Sequence, residues 1–264
     1  MLNGLLSAVL ALVGIVAVGR GSRLLLQGCC QASGHPVARW LQRWALLVER
    51  VLPLGLLALA LMAQGHRSMT MALLQGSHLC NLWVLLPLLG LQNANALRFN
   101  KNLTTRILPV VVMAGAVALL FSISNHMNRL VGTTSLLLAL ILLIVFRRHV
   151  LYDPSDGAQP RQVPLASPIR RSLDILLACA LLGLGTWLGC IASLHWALAW
   201  HASPQWLALG PISLVLALTA LPTLRLWQRQ NQMAALIGQL CLSSVVILLG
   251  LPGLLSLARP FHFF

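Results

Sequence analysis

The segment GSHLCN (Gly76–Asn81) gathers three polar side chains within a long apolar stretch. Ser77 and Asn81 are four residues apart, and His78 and Asn81 are three apart, so a helix places Asn81 near each of the other two. Hydroxyl and amide oxygens can act as cation ligands, and the imidazole of His78 can relay protons near neutral pH. The segment is therefore a candidate transport path, with hydrogen-bonded packing as the alternative for His78.

Neutral polar residues also occur in other apolar stretches. Such groups are costly in hydrocarbon and generally face protein or water. They either mark a permeation path or form interhelical hydrogen bonds, which contribute about 0.6 kcal/mol on average in membrane proteins. Serine and threonine can also bond to the backbone of their own helix. The transport-path candidates are Gln64, Ser77, His78, Asn81, Thr219, Thr223, Gln239 and Ser243.

The carboxylates are few, and the sequence predicts none near the middle of an apolar stretch. Asp153 and Asp156 lie in a polar central segment, whereas Glu49 and Asp174 lie at the ends of apolar stretches. We expect Glu49 and its neighbour Arg50 to form an ion pair at the membrane interface. Calcium takes about six to eight oxygen ligands, usually including carboxylates, so the sequence argues against a calcium site.

Side-chain spacing gives no support to metal or catalytic chemistry. No HxxxH or CxxC pattern indicates a metal site. No nucleophile is accompanied by a base or by paired carboxylates, as a membrane-embedded enzyme would require. We therefore predict no catalytic residues, no metal site and no cofactor.

The elements that must position these side chains are helices in a bilayer. The chain is 58% hydrophobic and only 8% charged, which leaves too little polar surface for a soluble globule. Many apolar stretches approach the roughly 20 residues that cross a bilayer. We predict an all-α integral membrane protein with about eight transmembrane helices, at Leu5–Val18, Val51–Gln64, Met69–Leu91, Ile107–Ile123, Val131–Phe146, Leu173–Trp200, Trp206–Leu224 and Met233–Leu257.

The formal net charge of +14 indicates membrane topology rather than nucleic-acid binding, because the basic residues lie between the predicted spans. The odd-numbered loops carry 15 of the 18 lysines and arginines. Cytoplasmic loops are enriched in these residues, so we place the odd-numbered loops in the cytoplasm. The sequence predicts a multi-pass protein of a bacterial plasma (inner) membrane, with both termini outside the cytoplasm and no nucleic-acid partner.

This topology predicts that residues 147–171 and the residues near Phe264 lie on opposite sides of the membrane. Single cysteines introduced at the two places, in a background without the native cysteines, should react with an impermeant reagent from opposite sides of sealed vesicles. Labelling of both positions from the same side would contradict the topology.

A polar segment rich in Pro, Ser, Gly and Gln divides the chain at residues 147–171. We predict a cytoplasmic linker there, between a first transmembrane half of about five helices (1–146) and a second half of about three (172–264). Because five is odd, the second half enters the membrane in the opposite sense, as an inverted repeat requires. Within residues 36–50, tryptophan and leucine fall on one helix face and arginine on the other, which predicts an interfacial helix before the second span. A solvated linker is the alternative.

The two halves show weak internal similarity. GSHLCNLWVLLPLLGL (Gly76–Leu91) aligns with GQLCLSSVVILLGL (Gly238–Leu251) after a two-residue slip. In each half the preceding span carries proline and glycine, and proline opens the helical hydrogen-bond ladder. Paired interrupted helices indicate a site near the middle of the membrane. The residues concerned are Pro53 and Gly55 in the first half and Gly210, Pro211 and Pro222 in the second.

These motifs resemble those of the cation/calcium exchanger superfamily, of which the sodium/calcium exchangers are members. In that family the second helix of each half carries a segment like GTSLPE and the third a segment like GSNIFN, which together form the ion sites. GSHLCN (Gly76–Asn81) is similar to the third-helix segment, and TALPT (Thr219–Thr223) to the second-helix segment of the second half. The resemblance implies an inverted-repeat exchanger-like bundle with an outward amino terminus.

The chain also departs from the family pattern. Thr223 stands in place of the second-half glutamate, and AQGHRS (Ala63–Ser68) replaces the first-half motif without a carboxylate. GQLCLS (Gly238–Ser243) lacks the expected asparagine, and about two spans of the family are not found at the carboxyl end, so the second half is truncated. The resemblance therefore implies a shortened relative with a degenerate ion site.

Together these features predict a transporter-like membrane protein that does not carry calcium. Its cargo would be a monovalent cation, a proton or a small uncharged solute. The alternative is a non-catalytic accessory or scaffold subunit, which needs only the packed helices. The expected partners are the lipid bilayer and either other membrane subunits or further copies of the chain.

Overall fold

The computed structural model describes residues 2–30, 44–88, 115, 126–150, 168–229, 233–258 and 261–262. Almost all of them are helical. The helices are α1 (Leu2–Cys30), α2 (Ala45–Ala63), α3 (Arg67–Leu79), α4 (Arg129–Val150), α5 (Pro168–Ala199), α6 (Pro204–Leu207), α7 (Ser213–Leu218), α8 (Leu221–Arg229), α9 (Met233–Val245) and α10 (Leu251–Ala258). Three π-helical segments continue α3, α6 and α9, at Cys80–Leu85, Ala208–Ile212 and Val246–Gly250.

The described helices confirm an all-α membrane protein. Five are long and apolar enough to cross a membrane, and two shorter apolar helices follow the same pattern. These seven correspond to seven of the eight predicted spans. The remaining prediction, Ile107–Ile123, lies outside the described residues except for Gly115. The five long spans are Asn3–Cys29, Ala45–Ala63, Arg67–Leu88, Arg170–Ala199 and Leu236–Ala258.

Several helices are longer than the sequence predicts, and the first two extend furthest at one end. The first was expected to end at Val18 but runs to Cys30, and the second was expected to begin at Val51 but begins at Ala45. In both cases arginines close the apolar stretch without ending the helix, because arginine is a good helix former. Residues 45–50, which we expected in an interfacial helix, therefore belong to the second spanning helix.

Proline acts differently in the two halves. Pro53 lies inside α2, which continues through it, whereas the helix of the second half is interrupted between Leu218 and Leu221. At the interruption, Pro222 is the second residue of α8 and has no N–H to donate to Leu218 O. The predicted interruption is thus present in the second half and not in α2.

Helix α1 packs against α5 along a line of glycines. A Cβ atom on Gly14 would lie 2.5 Å from the backbone nitrogen of Gly189, and one on Gly185 would lie 2.9 Å from the carbonyl oxygen of Gly14. Small residues allow such close approach of backbones inside membranes, where dispersion contacts drive helix association. At the chain end, Phe261–His262 pairs antiparallel with His126–Met127.

Candidate functional site

The interruption of the second-half helix leaves one backbone carbonyl without its usual helical hydrogen bond. The N–H of Ala220 bonds to Ala217 O at 3.1 Å, so it does not reach Leu216 O, its usual α-helical acceptor. The freed oxygen accepts instead from Thr219 Oγ1 at 2.7 Å and from Arg50 Nη1 at 2.9 Å. Carbonyls of unwound helices are typical cation ligands in transporters, and this one binds a guanidinium.

The Arg50 side chain crosses from the first half to the second. It is 2% exposed, although it belongs to an apolar spanning helix. Its Nε and Nη2 atoms both donate to Asn81 Oδ1, at 3.1 and 2.5 Å. Together with the bond to Leu216 O, all three guanidinium nitrogens donate to oxygen atoms, as a buried charge requires.

Asn81 extends the network to α9. Its side chain is fully buried, and Nδ2 donates to Ser243 Oγ at 3.1 Å and to Ser244 Oγ at 3.4 Å. Ser243 in turn donates to Leu240 O at 2.7 Å. The third span of each half therefore contributes to a single polar cluster, with Asn81 at its centre.

Glu49 brings a carboxylate into the same region. It is 6% exposed, and its Oε1 accepts a hydrogen bond from Thr223 Oγ1 at 2.9 Å. Arg23 of α1 and the adjacent Arg50 both act on it electrostatically. We expected Glu49 and Arg50 to pair at the membrane interface. Both side chains are instead buried, and they bond to Thr223 and Asn81, which belong to the motif segments of the two halves.

The cluster lies inside the spanning helices, nearer the beginning of α2 than its end. Asn81 is 14 residues from Arg67, the start of α3, which corresponds to about 21 Å along a helix. Arg50 is five residues from Ala45, the start of α2, or about 8 Å. The two motif segments thus meet through Glu49 and Arg50, away from both ends of α2 and the third span. We name this set, Glu49, Arg50, Asn81, Leu216 O, Thr219, Thr223, Ser243 and Ser244, the guanidinium cluster.

Four of the eight predicted path residues belong to the guanidinium cluster: Asn81, Thr219, Thr223 and Ser243. Gln239 is buried one turn before Ser243. Ser77 is buried one turn before Asn81, and within the described part of the chain its Oγ has no hydrogen-bond partner. His78 is half-buried beside it, and Gln64 is exposed at the end of α2.

Arg50 and the carbonyl of Leu216 are not among the residues predicted from sequence. The predicted first-half counterpart of TALPT, Ala63–Ser68, lies at the exposed turn between α2 and α3. A signal for Arg50 was present, since ALLVERVLPLG (Ala45–Gly55) contains no helix stop before Pro53. An arginine inside such a helix has to be buried or reach the interface.

The whole fold is similar to solved cation exchangers. It matches the crystal structure of the H+/Ca2+ exchanger CAX with a TM-score of 0.70 and 12% sequence identity, over 98% of this chain and 71% of that chain. It also matches the sodium-calcium exchanger NCX_Mj soaked with 10 mM Na+ and zero Ca2+, with a TM-score of 0.53 and 15% identity, over 98% of this chain and 85% of that chain. The chain has the fold of a cation exchanger.

The exchanger fold confirms the resemblance predicted from GSHLCN and TALPT. No protein-family model matches the chain, and no curated protein sequence matches it. The similarity is therefore one of backbone arrangement. Among the residues that the structure describes, no three His, Cys, Asp or Glu side chains are grouped as a metal site.

Proposed function

We propose that this chain is an exchanger-fold membrane protein that does not exchange calcium and acts as an accessory or scaffold subunit. The observation that carries the proposal is the position of Arg50. Its guanidinium binds Asn81 Oδ1, which belongs to the GSHLCN motif, and Leu216 O, which the helix interruption frees. A protein side chain thereby occupies the place of the cargo.

Electrostatics favours this reading over cation transport. At about 4 Å and an effective dielectric constant of about 20, a dication and a guanidinium repel each other by about 8 kcal/mol, and a monovalent cation by about half of that. Glu49 offsets part of this repulsion, but its charge is also offset by Arg23. Calcium is disfavoured most strongly, and a sodium ion is disfavoured as well.

Passage of a small uncharged solute is a second candidate, favoured by a separate observation. A cavity of about 210 Å³ lies between the beginnings of α3 and α6. Its lining is neutral and includes Ser68, Met71, Gln75, Gln205 and Trp206. The absence of charge from this lining suits an uncharged solute better than an ion.

Closely packed helices separate this cavity from the guanidinium cluster. The third span packs against the segment that follows α6 so closely that a Cβ on Gly76 would overlap Leu209 O and lie 2.5 Å from Ser213 Oγ. Ser213 also donates to Leu73 O across the same contact, at 3.2 Å. This closed contact is a further reason to prefer a non-transporting role.

Reconstitution tests the proposal. We expect vesicles containing the purified chain to show no calcium uptake driven by a sodium or proton gradient, whereas an H+/Ca2+ exchanger prepared in parallel does. Calcium at a hundredfold its dissociation constant would stabilise a binding protein by about 2.7 kcal/mol. We therefore also expect no calcium-specific shift in melting temperature.

Saturable calcium flux would overturn this proposal, provided that Thr223→Ala or Ser77→Ala abolishes it. These variants separate transport through the chain from leakage. The scaffold role predicts, in addition, a complex of fixed stoichiometry in intact-mass measurements after mild solubilisation. A monomer that swells vesicles in an uncharged solute would favour the second candidate instead.

A further inference from the structure

Arg50 contacts the kind of atoms that hold a free cation. An amide oxygen from Asn81 and a backbone carbonyl from Leu216 accept its N–H groups. The Glu49 carboxylate neighbours it in sequence and acts on it electrostatically. An amide oxygen and a carbonyl freed by helix unwinding are hard oxygen ligands of the kind that bind cations. The carboxylate adds negative charge to their surroundings.

We infer that the guanidinium cluster is a cation-binding site whose resident cation is the side chain of Arg50, and that the site, once emptied of this side chain, binds free guanidinium. The inference rests on the proposed function in one respect, namely that the Arg50 guanidinium occupies the place of a transported cation. It adds the chemical class of ligand that the site accepts.

The geometry selects guanidinium over a spherical ion. Nε and Nη2 converge on Asn81 Oδ1, while Nη1 points to Leu216 O on another helix. This fork of donors is fixed by the planar group, and the acceptors are placed to match it. A spherical ion has no such fork, so it would need Asn81 Oδ1 and Leu216 O at the same distance from one point. Urea has the planar shape of guanidinium but no charge, so it tests the contribution of the charge.

The test uses the Arg50→Ala variant, which removes the guanidinium and leaves its space. We expect low-millimolar guanidinium chloride to raise the melting temperature of this variant by about 3 °C, which corresponds to occupancy at roughly tenfold its dissociation constant. Sodium chloride and urea at equal concentration should not raise it. The wild type, whose site is already filled, should not respond.

Arg50→Met is the matched control, because methionine fills much of the same space without donors. It should not respond to guanidinium. Equal shifts in the wild type and in Arg50→Ala, or a shift with urea as large as that with guanidinium, would overturn the inference.

A second pair of variants decides the matter if Arg50→Ala does not fold. Asn81→Asp gives the resident guanidinium a carboxylate, whose second oxygen can accept from the hydroxyls of Ser243 and Ser244 once they rotate, so we expect the melting temperature to stay the same or rise. Ser77→Asp places the same charge one turn away, where its Oγ has no hydrogen-bond partner among the described residues, so we expect a fall of several degrees. Equal losses in the two variants would overturn the inference.

Failure of this inference and failure of the proposed function give different results. Calcium flux through the wild type would overturn the function whatever the variants do. Absence of flux would leave the function standing. The resident-cation site would then be removed by the absence of a guanidinium response in folded Arg50→Ala or, if that variant does not fold, by equal losses in the two aspartate variants.

Discussion

Replacing Arg50 with alanine is expected to lower the free energy of unfolding by about 3 kcal/mol, the range observed when one member of a buried charge pair is removed. The variant loses three hydrogen bonds, to Asn81 and Leu216, and leaves the Oδ1 atom of Asn81 without these donors. Glu49 keeps its hydrogen bond from Thr223 and the electrostatic influence of Arg23, which holds the loss at the lower end of that range.

Thermal unfolding in detergent measures this effect, with Arg225→Ala as the matched control. Arg225 is an exposed arginine on α8, so its truncation should change the free energy of unfolding by less than about 0.5 kcal/mol. If Arg50→Ala is as stable as Arg225→Ala, the guanidinium does not hold the two halves together.

The spans and the fold could be predicted from sequence because they depend on local patterns. Apolar length gives the helices, and the order of GSHLCN and TALPT gives the exchanger resemblance, which the structural matches confirm. Helix ends were less accurate, since hydropathy treats Arg20 and Arg50 as the limits of a span. Both arginines lie inside helices that continue past them.

The guanidinium cluster could be predicted only in part, because its bonds join distant segments. Arg50 reaches residues 31 and 166 positions away in the sequence, and Asn81 reaches Ser243 across 162 positions. Polar residues in apolar stretches identify candidates without their partners. The carboxylate of Glu49 was assigned to an interface for the same reason, since its bond to Thr223 spans 174 positions.

Thr219 and Thr223 illustrate the limit of spacing rules. Residues four apart share a face of a continuous helix. The interruption separates them: Thr219 lies against Gly19 of α1 and donates to Leu216 O, whereas Thr223 donates to Glu49. The TALPT motif therefore identified both residues but not the direction of each hydroxyl.

Substitution of Gly14 is expected to force α1 and α5 apart. A Cβ on Gly14 would meet the nitrogen of Gly189 at 2.5 Å, its Cα at 2.8 Å and the carbonyl oxygen of Gly185 at 2.9 Å. All three are backbone atoms, so no side chain can rotate away and the helices have to separate. We expect Gly14→Leu to cost more than about 3 kcal/mol of the free energy of unfolding, beyond ordinary overpacking.

Gly183→Leu provides the control on α5, because no atom lies within 4 Å of a Cβ built at Gly183. Leucine is the better helix former, so this variant should gain up to about 1 kcal/mol or stay neutral. Melting temperature and the fraction of monodisperse protein in size-exclusion chromatography measure both variants. Equal behaviour of Gly14→Leu and Gly183→Leu would mean that the two backbones do not approach each other at Gly14, and that side chains rather than glycines set the distance between α1 and α5.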